Sequence, residues 1–172
     1  MKRFILALFL MTASVGVMFA QFVEYPIGEP QRINGMEVAA VYLKPVDMEP
    51  RGSGLPASLS DIHLEADVRA VEGNPNGFAI GEWIPYLKIS FELINLDTGE
   101  RQTGVFMPMV AADGPHYGNN IRMMGPGTYR LVYRIENPSS QGFLRHTDAD
   151  TGVGRWFEPF TLSWEFTYVP IE

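Results

Sequence analysis

No cysteine occurs in the 172 residues. That excludes disulfide staples, a thiolate metal site, a thiol nucleophile and a lipid-modified cysteine behind an export signal. A bound metal would have to be held by nitrogen, oxygen or thioether sulfur. Basic charge is scarce as well, with 13 Lys and Arg against 20 Asp and Glu and a formal net charge of -7. Such a chain repels phosphate backbones and anionic lipid heads, which disfavours nucleic acid as a partner and favours a cation. Helical signal is also missing: no window beyond the N-terminal region sustains a 3.6-residue period. There is no internal repeat and no low-complexity segment, and the only linker-like stretch, residues 49–60, is short. Catalytic signatures are absent too, among them the Gly-x-Ser-x-Gly elbow, the P-loop, Gly-x-Gly-x-x-Gly and His-Glu-x-x-His. Carboxylates such as Glu65, Asp67 and Glu82 are available for a glycosidase pair, but nothing in the sequence fixes their separation. No catalytic turnover is expected.

The chain opens with Lys2 and Arg3 and then carries no charge from Phe4 to Val23, with Ala13, Ser14, Gly16 and Ala20 along the way. A basic start, an apolar run and a small-residue end together read as an export signal over residues 1–20, cleaved after Ala20. An uncharged run of this length could just span a bilayer, so a retained anchor is the other reading. Removal of the signal leaves 11 basic residues and moves the formal charge to -9. The folded unit is then a single domain over residues 21–172, exported to the periplasm.

The 13 Pro and 17 Gly cut this unit into short pieces, and between them period-two alternation recurs. Strands are predicted over Met36 to Lys44, Ile62 to Val71, Tyr86 to Leu96, Thr103 to Val110, Tyr129 to Glu136 and Phe160 to Val169. Leu87, Ile89, Phe91 and Leu93 alternate with Lys88, Ser90 and Glu92, and Phe160, Leu162, Trp164, Phe166 and Tyr168 share one face. Asp97-Thr98-Gly99 marks a hairpin turn and Gly125-Pro126-Gly127 opens the fifth strand. The fold class is all-β, an immunoglobulin-like antiparallel β-sandwich.

The chain has three histidines. On the predicted second strand Ile62, Leu64, Ala66 and Val68 take one face, while His63, Glu65 and Asp67 take the other. An imidazole thus lies beside carboxylates, on a face that also reads as ordinary solvated surface. Met107-Pro108-Met109 leaves the fourth strand towards Asp113-Gly114-Pro115-His116-Tyr117-Gly118, read as a tight loop ending in histidine. Methionine is commonly core filler, whereas a histidine held between prolines and glycines suits a fixed site. His146 sits in Arg145-His146-Thr147-Asp148, a polar loop, where surface and ligand readings are equally available. Imidazoles, a thioether and a carboxylate without thiolate suit copper best, and divalent affinities peak at copper.

In order, the segments Asn34 to Tyr42, Asp61 to Asp67, Phe106 to Val110, Asp113 to Gly118, Arg145 to Asp148 and Thr151 to Gly154 resemble a known family. It comprises the periplasmic metal-binding proteins that accompany bacterial iron permeases, the FetP-like group that includes the treponemal Tpd antigens. The likeness runs from about Gly28 to the C-terminus. It implies an immunoglobulin-like sandwich, a homodimer with copper at or near the subunit interface, and an inner-membrane iron permease as partner, with iron as cargo. Carried over position by position, it places copper ligands at His63, Met109, His116 and His146, with Glu65 as an additional or alternative ligand. The rival functions are a periplasmic copper carrier or tolerance protein and a purely structural sandwich.

Overall fold

The computed structural model describes residues 23–171. The export signal read over residues 1–20 therefore lies outside the described residues. Among the described residues ten strands form two antiparallel sheets: β1 (Tyr25–Pro26), β2 (Gln31–Ile33), β3 (Met36–Leu43), β4 (Ile62–Ala70), β5 (Lys88–Asn95), β6 (Arg101–Val105), β7 (Met107–Ala111), β8 (Gly114–Ile121), β9 (Gly127–Glu136) and β10 (Phe160–Tyr168). One sheet runs β1-β3-β4-β8-β7, with β2 also on β3, and the other runs β10-β9-β5-β6. Among the described residues the only helical pieces are two 3-10 turns, Ala57–Leu59 and Pro138–Gln141. No helix of the described residues is long and apolar enough to cross a membrane.

Alternation builds the core between the sheets. Val38, Ala40 and Tyr42 of β3, Ile62, Leu64, Ala66 and Val68 of β4, and Tyr117 and Ile121 of β8 face Ile89, Phe91 and Leu93 of β5 and Tyr129, Leu131, Tyr133 and Ile135 of β9. Leu162 and Trp164 of β10 complete it. Each inward residue is followed by an outward one, the pattern that allows one sheet face to stay polar.

Two departures from the sequence reading concern the region that holds the site. The single strand expected over 103–110 is two strands in different sheets: β6 pairs with β5, β7 pairs with β8, and the buried Phe106 is the hinge between them. The loop expected around His116 is instead strand β8, joined to β7 by a tight hairpin whose closing pair is Ala111 and Gly114. Pro115 and two glycines disguise it, since proline and glycine weaken interior strands. The proline is tolerated because β4 pairs only with Tyr117 to Ile121, beyond Pro115.

β4 is buried on both faces over its first five residues, Ile62 to Ala66, as β3 is over its last four. The inward face meets the core. The outward face is covered by the 44–57 connection, which folds back across the sheet and is pinned by Asn120: its Nδ2 donates to the carbonyls of Val46 (2.8 Å) and Leu55 (2.9 Å), and its Oδ1 accepts from the Val46 amide (3.2 Å). The polar face of the sheet becomes a roofed site.

Candidate metal centre

Register decides which side chains meet. His63 lies opposite Asn120 and Glu65 opposite Gly118 across β4 and β8. Met107 lies opposite Gly118 and Met109 opposite His116 across β8 and β7. Directly opposed residues project to the same side of a sheet, so His63, Glu65, His116, Met107 and Met109 all belong to the roofed face. His63, Glu65, His116 and Met109 line one cleft of about 640 Å³, closed along one edge by Val46 to Glu49. His63 is 0%, His116 3% and Glu65 5% exposed.

Within this group the ring atoms converge. The Nε2 atoms of His63 and His116 stand 3.5 and 3.3 Å from the same oxygen, Oε1 of Glu65. The rings meet edge to face, with centroids 5.9 Å apart. Gly118 lies between them: a Cβ there would stand 2.6 Å from His63 Nε2 and 3.3 Å from His116 Cδ2. Only glycine leaves the two rings room to approach.

Hydrogen bonding fixes the tautomers. Asn120 Oδ1 is oriented by its amide's bonds to backbone, so the 2.9 Å contact with His63 Nδ1 requires the ring to donate from Nδ1. Nε2 of His63 then carries the lone pair. The His116 ring is hydrogen-bonded to the Gly114 carbonyl, and since its Nε2 has no partner, the donor is again Nδ1. Both buried Nε2 atoms are thus unpartnered acceptors, a costly state for buried polar atoms. A cation between them removes that cost, and a ligating histidine normally has its other nitrogen held in this way.

Electrostatics reinforces the attraction. Burial pushes His63 down to about 4, against the raising effect of its bond to Asn120, and burial also lowers His116. Burial raises Glu65 to about 8, helped by the nearby carboxylates of Asp67, Glu24 and Asp113. Glu24 and Asp67 are raised too, chiefly by burial. Near neutral pH the close His–Glu contacts are therefore between uncharged groups, in which the single carboxyl proton of Glu65 can serve at most one of the two Nε2 atoms and leaves the other without a donor.

These shifts set the metal-free protein's response to pH. Glu65 is raised, so its contribution to stability is full below its unfolded value near 4.5 and is lost as pH climbs towards 8. His63 is lowered, so its contribution is full above 6.5 and is lost as pH falls towards 4. The two slopes oppose each other between 4.5 and 6.5, leaving a net decline from pH 6.5 to 8. Thermal melts across that window should show the decline in metal-free protein and a flatter profile in Glu65→Gln; an unchanged slope in the variant would assign the decline elsewhere.

His146 stands apart. It is exposed on the connection before β10, outside the residues lining the cleft. Its Nδ1 contacts Thr151 Oγ1 at 2.7 Å, and that hydroxyl donates to Asp148 Oδ2 at 2.8 Å. The hydroxyl proton being used, Nδ1 of His146 must donate, so this third histidine also presents a bare Nε2, here to solvent. Among His, Asp and Glu of the described residues, one group has metal-binding proximity, namely His63, Glu65 and His116.

A family model described as Fe2+ transport protein matches residues 21–170. The chain belongs to the Fe2+ transport protein family. A relative in Brucella abortus, a UPF0423 protein, is 55% identical over 152 residues, covering 87% of this chain and 84% of that protein. The 34 kDa membrane antigen of Treponema pallidum is 39% identical, covering 85% and 74%. Among solved structures, FetP of uropathogenic Escherichia coli, recombinantly expressed in the periplasm of another E. coli strain, superposes with a TM-score of 0.86 at 65% identity, covering 88% of this chain and 100% of that one. Copper-reconstituted P19 of Campylobacter jejuni superposes with the same score at 56% identity, covering 87% and 99%. The immunoglobulin-like sandwich and the FetP-like resemblance hold. Copper-bound forms are known for both neighbours, and the donor set here fits that metal: imidazole nitrogen, a carboxylate and a thioether with no thiolate.

Two residues that sequence reasoning did not place in the site belong to it. Asn120 orients His63 and holds the roof, and Gly118 makes room for both rings. The Asp-Gly turn signal at 113–114 was the available hint that a second strand returns His116 across Met109. Asn120→Ala should lower copper affinity ten- to a hundredfold, the range for loss of a group that orients a ligand. It should also speed hydrogen exchange at the Val46 amide; copper affinity equal to wild type would separate the roof from the site.

Proposed function

We propose that this protein is the periplasmic metal-binding component of an iron-uptake system, holding copper and presenting iron to an inner-membrane permease. The observation that supports it most is the pair of buried, unpartnered Nε2 atoms of His63 and His116 aimed at one Glu65 oxygen. Membership of the Fe2+ transport protein family supports the iron side. His63, His116 and Met109 would hold the metal, with Glu65 as a further ligand, and bound copper supplies a one-electron couple beside the iron. His146 would come from a second copy of the chain: its exposed loop and bare Nε2 suit a ligand delivered across a homodimer interface.

Deletion of the gene, followed by growth under iron starvation and under copper stress, tests the assignment. A defect confined to iron starvation is expected; a defect confined to copper stress would favour a copper carrier. Sedimentation of the mature protein should give twice the chain mass, and a one-chain mass at micromolar concentration would remove the second-copy ligand. Met109→Leu keeps the apolar volume nearly constant, so packing alone would tolerate it within about 1.5 kcal/mol. Copper titration of that variant should show at least tenfold weaker binding and an altered spectrum with a nearly unchanged melting midpoint. Wild-type binding would make Met109 a packing residue.

A further inference from the structure

The turn that carries His146 is built more firmly than an exposed connection needs. Asp148 Oδ1 accepts from the amides of Asp150 (3.1 Å) and Thr151 (2.9 Å), and the Asp148 carbonyl accepts from the Gly152 amide (3.0 Å). The Val153 amide donates back to the His146 carbonyl at 3.1 Å, and Arg145 Nη1 donates to the Val153 carbonyl at 3.0 Å, so the two arms of the turn are tied together. The turn is also moored to the connection after β4: the Gly154 amide donates to the Pro75 carbonyl at 2.7 Å, and Asn76 Nδ2 donates to the Gly154 carbonyl at 2.9 Å. Gly152 admits no side chain, since a Cβ there would run into the Asp148 carbonyl.

On this frame one carboxylate has two tasks. Oδ1 of Asp148 holds the turn, while Oδ2 takes the Thr151 hydroxyl proton and leaves that oxygen only its lone pairs for His146 Nδ1. The three histidines of the chain then share one state, with Nδ1 donating and Nε2 bare: His63 donates to Asn120, His116 to Gly114 and His146 to Thr151. In the two buried rings that state serves the cleft. An exposed ring gains little from it on its own account, because fixing a solvated side chain costs rotamer entropy. A metal ligand does gain: a ligating histidine almost always gives its other N–H to a fixed acceptor, which sets the tautomer and raises the basicity of the bonding nitrogen.

We propose that Asp148 and Thr151 are positioning residues for copper, a hydroxyl-bridged relay that keeps the His146 proton on Nδ1 and its Nε2 lone pair open to the ion of a second copy. This rests on the reading of His146 as the ligand delivered across a homodimer. The direction of the relay is set by the charge at position 148. A carboxylate has no proton to give, so Thr151 must donate to it and accept from His146. An amide at that position keeps an oxygen for the two backbone amides but turns its NH2 towards Thr151. The hydroxyl then donates to His146 Nδ1, the ring carries its proton on Nε2, and the lone pair that would meet copper is closed.

The test compares the wild-type mature protein with Asp148→Asn, Thr151→Val, Thr151→Ser and His146→Ala, each with nitrogen-15 in the imidazoles. In metal-free protein at about pH 8, where an ordinary imidazole is neutral, long-range nitrogen–proton NMR correlations read which ring nitrogen holds the proton. His146 should be protonated on Nδ1 in wild type and on Nε2 in Asp148→Asn. The same tautomer in both, or Nε2 protonation in wild type, would overturn the relay. Copper titration should show Asp148→Asn and Thr151→Val weaker by about 10–100-fold, the range for loss of a group that orients a ligand. Thr151→Ser should stay within a fewfold of wild type, which ties the loss to the hydroxyl. Should Asp148→Asn loosen the turn, Thr151→Val still decides, since wild-type copper affinity there would overturn the proposal. Wild-type affinity in His146→Ala would overturn the ligand reading and the proposal with it, whereas an unchanged tautomer beside an impaired His146→Ala would overturn the relay alone.

Discussion

Replacing His116 by alanine is expected to lower copper affinity at least a hundredfold while moving the thermal midpoint by only a few degrees. The affinity loss follows from its place in the cluster: its Nε2 is one of two buried lone pairs aimed at Glu65, and loss of an orienting group alone typically costs 10–100-fold. The stability effect is small because two terms oppose each other. Truncating a buried ring leaves a cavity, but it also removes an acceptor that the metal-free fold buries without a partner. A residual of about 1 kcal/mol moves the midpoint of a chain this size by roughly 2–4 °C. Competition titration against a copper indicator, paired with thermal melts, reads both quantities. Copper binding within a fewfold of wild type would exclude His116 as a ligand, and collapse of the fold would show the ring to be structural.

The second large effect comes from adding one carbon. Gly118→Ala puts a Cβ 2.6 Å from His63 Nε2, well inside carbon–nitrogen contact distance, so the rings must part or the strand must move. Overpacking of this kind typically costs 1–3 kcal/mol. The cost falls on the ligand geometry, because His63 is held from behind by Asn120 and cannot swing freely. Copper affinity should fall at least tenfold together with several degrees of thermal midpoint, in contrast to His116→Ala, where affinity falls almost alone. Addition of copper should recover little of the lost stability. If Gly118→Ala binds copper as tightly as wild type, the close approach of the rings is not needed for the site.

The contrast between these residues shows what the sequence could reveal. Alternation of large apolar residues located β3, β4, β5, β9 and β10 within one or two residues at most ends, because each presents one face to the core and period two is visible in one dimension. β8 escaped because Gly114, Pro115 and Gly118 interrupt the pattern, although each has a positional reason: the hairpin, the end of the β4 pairing, and the space for two rings. The break at Phe106 left only a weak trace, the consecutive apolar residues Val105, Phe106 and Met107 in the strand whose alternation is the weakest of the six, and such a run does not say that the chain changes sheet. His63, Glu65, Met109 and His116 could be named as candidates from residue type and from likeness to FetP-like proteins. Their burial could not be read, because the cover over β4 is a connection some fifteen residues away held by Asn120. Asn120 and Gly118 have no chemistry of their own to advertise, and their roles exist only through cross-strand register.

The central claim is that one copper ion sits on the cluster of His63, His116 and Met109. Crystals of the copper-loaded protein, with anomalous differences collected on either side of the copper edge, test it most directly. The account predicts a single strong peak per chain in the cleft, within bonding distance of Nε2 of both histidines and Sδ of Met109, with His146 of a second copy approaching the same ion. A main peak elsewhere, or a copper ion in the cleft bonded to neither buried histidine, would contradict it.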